Sequence, residues 1–337
     1  FPQQSLELRV HILQSQKLAV RLTNNHPHKV SILIDAKNCH GQNCSMARPS
    51  LSAVAELLKP ITWFPPMWAF ACGAISSGVS PEGKWPIIAT GIVLAGPMVC
   101  ATSQAVNDWF DRHVDAINEP QRPIPSGRMP GYWGLSIAII WTGLSLLVAT
   151  LLGVWGFRAA VLGLVLAWAY SAPPVRLKEN GWLGNAACGL SYEGLAWVTG
   201  AAVMAGGAMP DSRSLLLALL YSIAAHGIMT LNDFKAVEGD RQMGVRSLPV
   251  MLGIDSAAHT ACRVMIVPQL AVILLLFSWN NIVQALVVIM LVLGQLQLMQ
   301  RFVASPTERA LKLSAFGVPL LVTGMMVSAF ALRGHME

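Results

Sequence analysis

The chain has 337 residues, of which 54% are hydrophobic and 12% charged, with a formal net charge of +6. Soluble domains carry roughly 25% charged residues, so a water-soluble globule is excluded. The basic excess lies in short connections between apolar runs, which suits lipid headgroups and argues against a nucleic-acid partner.

Residues 1–45 begin with Phe, carry several charges and contain no stretch long enough to span a bilayer. They also lack the apolar core and cleavage site of a signal peptide. We expect an upstream extension or read-through here, not native or else disordered, with Met46 the true start and 46–337 one transmembrane domain. Cys39, His40 and Cys44 find no second ligand pair at zinc-like spacing. Cys72, Cys100, Cys188 and Cys262 sit in apolar surroundings and read as small core residues.

From there, nearly charge-free stretches fall at 61–79, 86–106, 133–153, 157–173, 183–208, 214–231, 263–279, 282–300 and 314–332. A membrane helix needs about 20 such residues. The expectation is an all-α polytopic membrane bundle of nine transmembrane helices. Lys59, Arg112, Arg122, Arg128, Arg176, Lys178, Lys235, Arg241, Arg246, Arg263, Arg301, Arg309 and Lys312 fall on one side. Lys84, Arg158, Arg213 and Arg333 fall on the other. The bias places the richer side, with the N-terminus, in the cytoplasm.

Two polar connections stand out on that side. The first, Asn107–Arg128, reads NDWFDRHVDAINEPQRPIPSGR; the second, Asn232–Pro249, reads NDFKAVEGDRQMGVRSLP. Each opens with Asn-Asp, places a further Asp seven residues on (Asp108 to Asp115, Asp233 to Asp240) and reaches Arg-x-(Ile/Leu)-Pro. The match suggests two pseudo-repeated halves with a site between them. At helical spacing, Asn107, Asp108, Asp111 and Asp115 fall within an arc of about 100°. Asp233 and Asp240 likewise share one face, while Glu238 points away if the helix continues past Gly239, a candidate stop. Acids massed on one face repel unless cations lie between them. Asp and Asn oxygens suit Mg2+, and nearby Arg and Lys suit a diphosphate. The bland alternative is that these acids only cap helices and solvate loops. A cation-coupled transporter is a further alternative, but transporters hold their acids near the midplane on broken helices.

An isoprenyl diphosphate has the charged head and greasy tail that such a bundle suits. NDxxDxxxD, the later acidic loop and the succession of spans resemble the superfamily of intramembrane aromatic prenyltransferases over roughly residues 50–335. KPITWFPPMWAF at 59–70, INEPQRPIPSG at 117–127 and YSAPPVRLKENGWLGN at 170–185 resemble its chlorophyll synthase branch. GRMPGYWGLSIAIIW, SYEGLAWVTGAAV and NDFKAVEGDRQMGVRSLPV are similar to the purple-bacterial side of that branch.

The resemblance implies that Asn107, Asp108, Asp111 and Asp115 form the first magnesium-diphosphate motif, with Asp233 and Asp240 in the second. It implies that Arg122, Arg176, Lys178, Arg241 and Arg246 hold phosphate oxygens. Tyr170 either orients the diphosphate or sits at the membrane interface. Ala236 stands where much of the superfamily has another acid, so the second motif is thinner. The implied acceptor is the propionate of bacteriochlorophyllide, esterified with a geranylgeranyl or phytyl group. Chlorophyllide, or a quinone or haem precursor, is the alternative. Glu193, within a span, is expected to face the chamber and touch the tetrapyrrole. His226 is expected to hydrogen-bond a neighbouring helix, and His113 to face solvent. The implied location is the photosynthetic inner membrane, where pigment-binding proteins are possible partners although no segment marks a surface for them.

Overall fold

The computed structural model describes residues 48–333, so the expectations for residues 1–45 lie outside the described residues. Among the described residues the regular structure is helical, apart from an isolated bridge between Asn180 and Arg246. Helix α1 (Leu51–Leu58) starts at Ser50, whose hydroxyl accepts from Ala53 N, and ends at Lys59 in a left-handed conformation. A 3-10 turn, Pro60–Thr62, leads into α2 (Phe64–Ser76). Helix α3 (Trp85–Val93) runs through a π turn, Leu94–Cys100, into α4 (Ala101–Asn118). Pro97 inside that turn lacks the N–H an α-helical ladder needs, which accounts for a bulge at this point.

Helices α5 (Trp133–Thr150) and α6 (Gly153–Ser171) follow, then α7 (Gly181–Gly189), a second π turn at Leu190–Leu195, and α8 (Ala196–Met204). The chain continues through α9 (Ser212–Asp233), α10 (Val237–Met243), α11 (Leu248–Leu252), α12 (Ile254–Ser278), α13 (Ile282–Ala304) and α14 (Pro306–Arg333).

All nine expected apolar stretches are helical, but seven helices among the described residues are long and apolar enough to cross a membrane. The other two stretches differ for physical reasons. Helix α2 has 13 residues, about 20 Å of rise, against a hydrocarbon core of about 30 Å. The run α7–α8 is split by a π turn and carries Asn185 and Glu193. The pseudo-repeat is also less symmetric than its letters. Helix α4 stays helical through the whole acidic motif, whereas α9 stops at Asp233 and Asp240 sits on the separate α10. The shared-face expectation for Asp233 and Asp240 therefore fails. Gly239 lies inside α10, and the left-handed Gly244 ends it.

Close packing relies on small residues, as it does where lipid offers no hydrophobic driving force. A Cβ on Gly73 would stand 1.9 Å from Trp197 O, and one on Gly200 would stand 2.2 Å from Phe70 O. Helices α2 and α8 thus meet backbone to backbone. Trp197, fully buried at the contact, donates to Ser76 Oγ and Ser214 Oγ at 3.1 and 3.0 Å. Gln269 and Gln295 exchange reciprocal amide hydrogen bonds of 3.0 Å between α12 and α13. Because Gly73 has no room for a side chain, Gly73→Leu should cost about 1–3 kcal/mol. A several-degree fall in the thermal midpoint of the detergent-solubilised protein would show it; an unchanged midpoint would mean the helices can part freely.

Candidate active site

The first acidic motif occupies the last turns of α4, and the structure turns its spacing into an ion-paired cluster. Asp108 is 2% exposed, so its charge needs partners. Lys59 Nζ donates to Asp108 Oδ1 at 2.6 Å. Arg122, delivered by the loop after α4, donates from Nη1 to Asp108 Oδ1 at 3.3 Å and to Asp115 Oδ2 at 2.8 Å, and also pairs with Glu119. Burial disfavours the Arg122 cation, but Asp108, Asp115 and Glu119 together hold its pKa above the ordinary value.

One turn away, Asp111 is held by Lys178 and faces Arg176 Nη2 at 3.8 Å. Burial pulls the Lys178 ammonium below its usual pKa, with Asp111 opposing the shift. Asn107 Nδ2 donates to Asp111 Oδ2 at 2.9 Å and to Ser171 Oγ at 3.3 Å, which ties α4 to the end of α6.

The second motif is assembled differently. Asp233 ends α9 and accepts from Asn185 Nδ2 at 3.3 Å, while Asn185 also donates to Thr230 Oγ1 at 3.2 Å. Burial pushes the Asp240 carboxyl above its usual pKa, and the nearby Ser247 hydroxyl offsets part of that. The loop carrying Arg176 and Lys178 is stitched to the loop beyond Asp240. Arg246 N donates to Glu179 O at 2.9 Å, and Gly181 N donates to Arg246 O at 2.8 Å.

Arg241 pairs instead with Glu238 at 3.2 Å on an exposed face, so it is not brought to the cluster. The Arg246 side chain is likewise exposed, and its backbone makes the contacts. His113 is exposed, as expected. His226 Nε2 lies 3.2 Å from Trp182 O on α7, in keeping with a hydrogen-bonding role.

Beside the cluster opens a chamber of about 580 Å3. Lys59, Asn107, Arg122, Tyr170, Asn232 and Lys235 line its polar end, and Phe70, Leu94, Val99, Leu166 and Ile228 line much of the rest. A polar hub interrupts the apolar wall. The Tyr192 hydroxyl receives Gln104 Nε2 at 3.2 Å and the Cys100 thiol at 3.4 Å, with Ser103 Oγ 3.2 Å away. Glu193 does not behave as expected: it is buried in the second π turn, 6% exposed, but is not part of the chamber wall. Neighbouring Ser191, Tyr192 and Leu195 take that place.

Sequence reasoning missed Lys59, Lys235, Asn185 and the Tyr192 hub as site residues. The signal for Asn185 was present, since an amide inside an apolar run is costly without a partner. Lys59 depended on the left-handed turn after α1 (φ 47°), which nothing in local composition announces.

The residues fit a divalent cation only in company with a substrate. Among the described residues no group of three or more His, Cys, Asp or Glu side chains is close enough to hold a metal alone. Mg2+ commonly takes one or two carboxylates and completes its shell with phosphate oxygens and water. Asp108 Oδ2 is buried without a hydrogen-bond partner among the described residues, a free acceptor of that kind.

A membrane helical bundle with carboxylates and cations at the polar mouth of an apolar chamber is the architecture of an intramembrane prenyltransferase. The chain belongs to the UbiA prenyltransferase family, whose sequence profile matches residues 60–321. It is 55% identical over 286 residues to the bacteriochlorophyll synthase 33 kDa chain of Cereibacter sphaeroides, covering 85% of this chain and 94% of that one. It is 41% identical over 295 residues to the chloroplastic chlorophyll synthase of Oryza sativa subsp. japonica, covering 82% and 75%. Its fold matches a UbiA homologue from Archaeoglobus fulgidus solved with GPP and Mg2+, at TM-score 0.63 and 20% identity, covering 80% and 99%.

Removing the Lys59 ammonium leaves a buried Asp108 carboxylate short of a partner and takes one cation from the chamber mouth. Lys59→Ala should therefore lower kcat/KM for the prenyl diphosphate about 10²-fold, with Lys59→Arg recovering much of the loss. Steady-state prenyl transfer measures both, and equal activity in all three proteins would remove Lys59 from the site.

Proposed function

We propose that the chain transfers a geranylgeranyl or phytyl group from its diphosphate to the propionate carboxylate of bacteriochlorophyllide, forming the esterified pigment. The observation that carries this reading is the paired cluster of Asp108, Asp111 and Asp115 with Lys59, Arg122 and Lys178, in which Lys59 and Arg122 line the polar end of an apolar chamber. The acceptor follows from the relatives: 55% identity over almost the whole of a bacteriochlorophyll synthase chain exceeds the 41% to a plant chlorophyll synthase.

Asn107, Asp108, Asp111 and Asp115 from the first motif, with Asp233 and Asp240 from the second, would hold Mg2+. That ion would neutralise the diphosphate and make it a better leaving group. Lys59, Arg122, Lys178 and Arg176 then turn from carboxylates to phosphate oxygens, where developing charge is greatest. Tyr170, on the chamber wall, orients the head group.

The allylic C–O bond breaks with its electron pair leaving on diphosphate, and a propionate oxygen forms the new C–O bond. The carboxylate is already ionised near neutral pH, so no general base is required. The apolar chamber takes the prenyl tail and keeps water from the cationic carbon. The positive-inside bias supports a cytoplasmic position for the cluster, in what we take to be the bacterial inner membrane.

Membranes containing the protein, given bacteriochlorophyllide, geranylgeranyl diphosphate and Mg2+, should yield the pigment ester. Asp111→Asn should lower the rate by about 10²–10³-fold. Transfer to a quinone precursor with no pigment ester would keep the chemistry and refute the acceptor.

A further inference from the structure

The reaction brings together two anions, a diphosphate and a carboxylate, which repel at close range unless each has a positive partner of its own. Three cationic side chains line the chamber: Lys59, Arg122 and Lys235. Two of them are already committed. Lys59 donates to Asp108, and Arg122 bridges Asp108 and Asp115. Lys235 is different, because among the described residues its ammonium makes neither an ion pair nor a hydrogen bond.

Asn232, three residues earlier, shares this condition. It lines the same chamber, and its amide has no side-chain hydrogen bond among the described residues. Both side chains are exposed, so their donors are open to an incoming ligand. They also come from a different part of the fold. The paired cluster is built on α1, α4 and the loops after α4 and α6, whereas Asn232 ends α9 and Lys235 lies in the turn before α10.

That turn is pinned from below. Phe234 is 2% exposed and meets the Phe302 ring edge-on, with centroids 5.2 Å apart, and Val237 is buried two residues beyond Lys235. The backbone is thus fixed by its apolar residues while the polar ones keep free donors. A carboxylate arriving at Lys59 or Arg122 has to displace an aspartate. At Lys235 it displaces only water.

We propose that Lys235, assisted by Asn232, anchors the propionate of the acceptor. The ammonium and the amide N–H hold one carboxylate oxygen through charge-assisted hydrogen bonds. The other oxygen forms the bond to the allylic carbon as the C–O bond to diphosphate breaks, its electron pair leaving on the diphosphate. The mouth of the chamber thereby separates its two anions, the diphosphate to the cations of the paired cluster and the carboxylate to Lys235. The inference rests on the acceptor being a carboxylate, as in the function above.

Lys235→Met, compared with the native protein and Lys235→Arg, tests the assignment. Losing a hydrogen bond to a charged group should raise the KM for bacteriochlorophyllide by about tenfold or more, and Lys235→Arg should recover much of it. Two controls should stay unchanged in Lys235→Met: the dissociation constant of an unreactive geranylgeranyl diphosphate analogue with Mg2+, and the inhibition constant of the bacteriochlorophyllide propionate methyl ester, which has the ring but no free carboxylate. An unaltered acceptor KM overturns the proposal. So does a matching rise in the methyl ester's inhibition constant, which makes Lys235 a contact for the ring, or weakened binding of the analogue, which makes it a phosphate ligand. If the native protein forms no pigment ester at all, the functional reading is what fails, and this inference goes with it.

Discussion

A carboxylate buried at the end of a membrane helix must be given partners, and in this chain that requirement organises the whole active end of the bundle. Asp108, at 2% exposure, draws Lys59 from the end of α1 and Arg122 from the loop after α4. Asp111 draws Lys178 from the loop between α6 and α7. Stripping one partner from such a pair costs about 3–5 kcal/mol, so these side chains hold the loops as well as the site. Arg128 repeats the arrangement at the surface, where its bidentate contact with Glu56 at 2.6 and 2.9 Å fixes α1 against the same loop. Being exposed, that pair contributes less.

The same cations are the ones a diphosphate would meet. In the structure they neutralise acids; with substrate and a divalent ion present, the acids would have a better partner and the cations a new one. Little movement would be needed, because Lys59, Asn107 and Arg122 already line the chamber while bonded to Asp108, Asp111 and Asp115 behind them. Preorganisation of this kind is what makes electrostatic stabilisation effective in a water-poor site. The apolar wall supplies the complementary condition, keeping water from the reacting carbon while the tail lies among the helices.

How far the sequence was legible follows from how local each feature is. The run of acids on α4 was readable because the helix continues unbroken to Asn118, so spacing alone predicts geometry. The same reasoning failed at Asp240, where the chain leaves α9, turns and begins α10, and no helical wheel crosses such a break. Lys178 and Arg122 were nameable from the resemblance, but their pairing with particular aspartates depends on tertiary contacts across 67 and 14 positions.

Arg241 and Arg246 looked equivalent to Arg122 in letters. One spends its charge on Glu238 three residues away, and the other contributes its backbone to a bridge instead. Glu193 shows the limit most clearly. An acid within a span must be buried among protein groups, but the π turn that carries it decides which wall it joins, and the turn has no sequence signature.

The central claim is that the carboxylates and cations at the chamber mouth form a single cradle for a metal-bound diphosphate. The direct measurement is calorimetric binding of an unreactive geranylgeranyl diphosphate analogue to the purified protein, titrated with and without Mg2+. The account predicts tight binding with the ion, weakening by about tenfold or more once EDTA removes it. Equal affinity in both conditions would contradict it, because the basic side chains alone would then be holding the diphosphate and the aspartates would be serving only to position them.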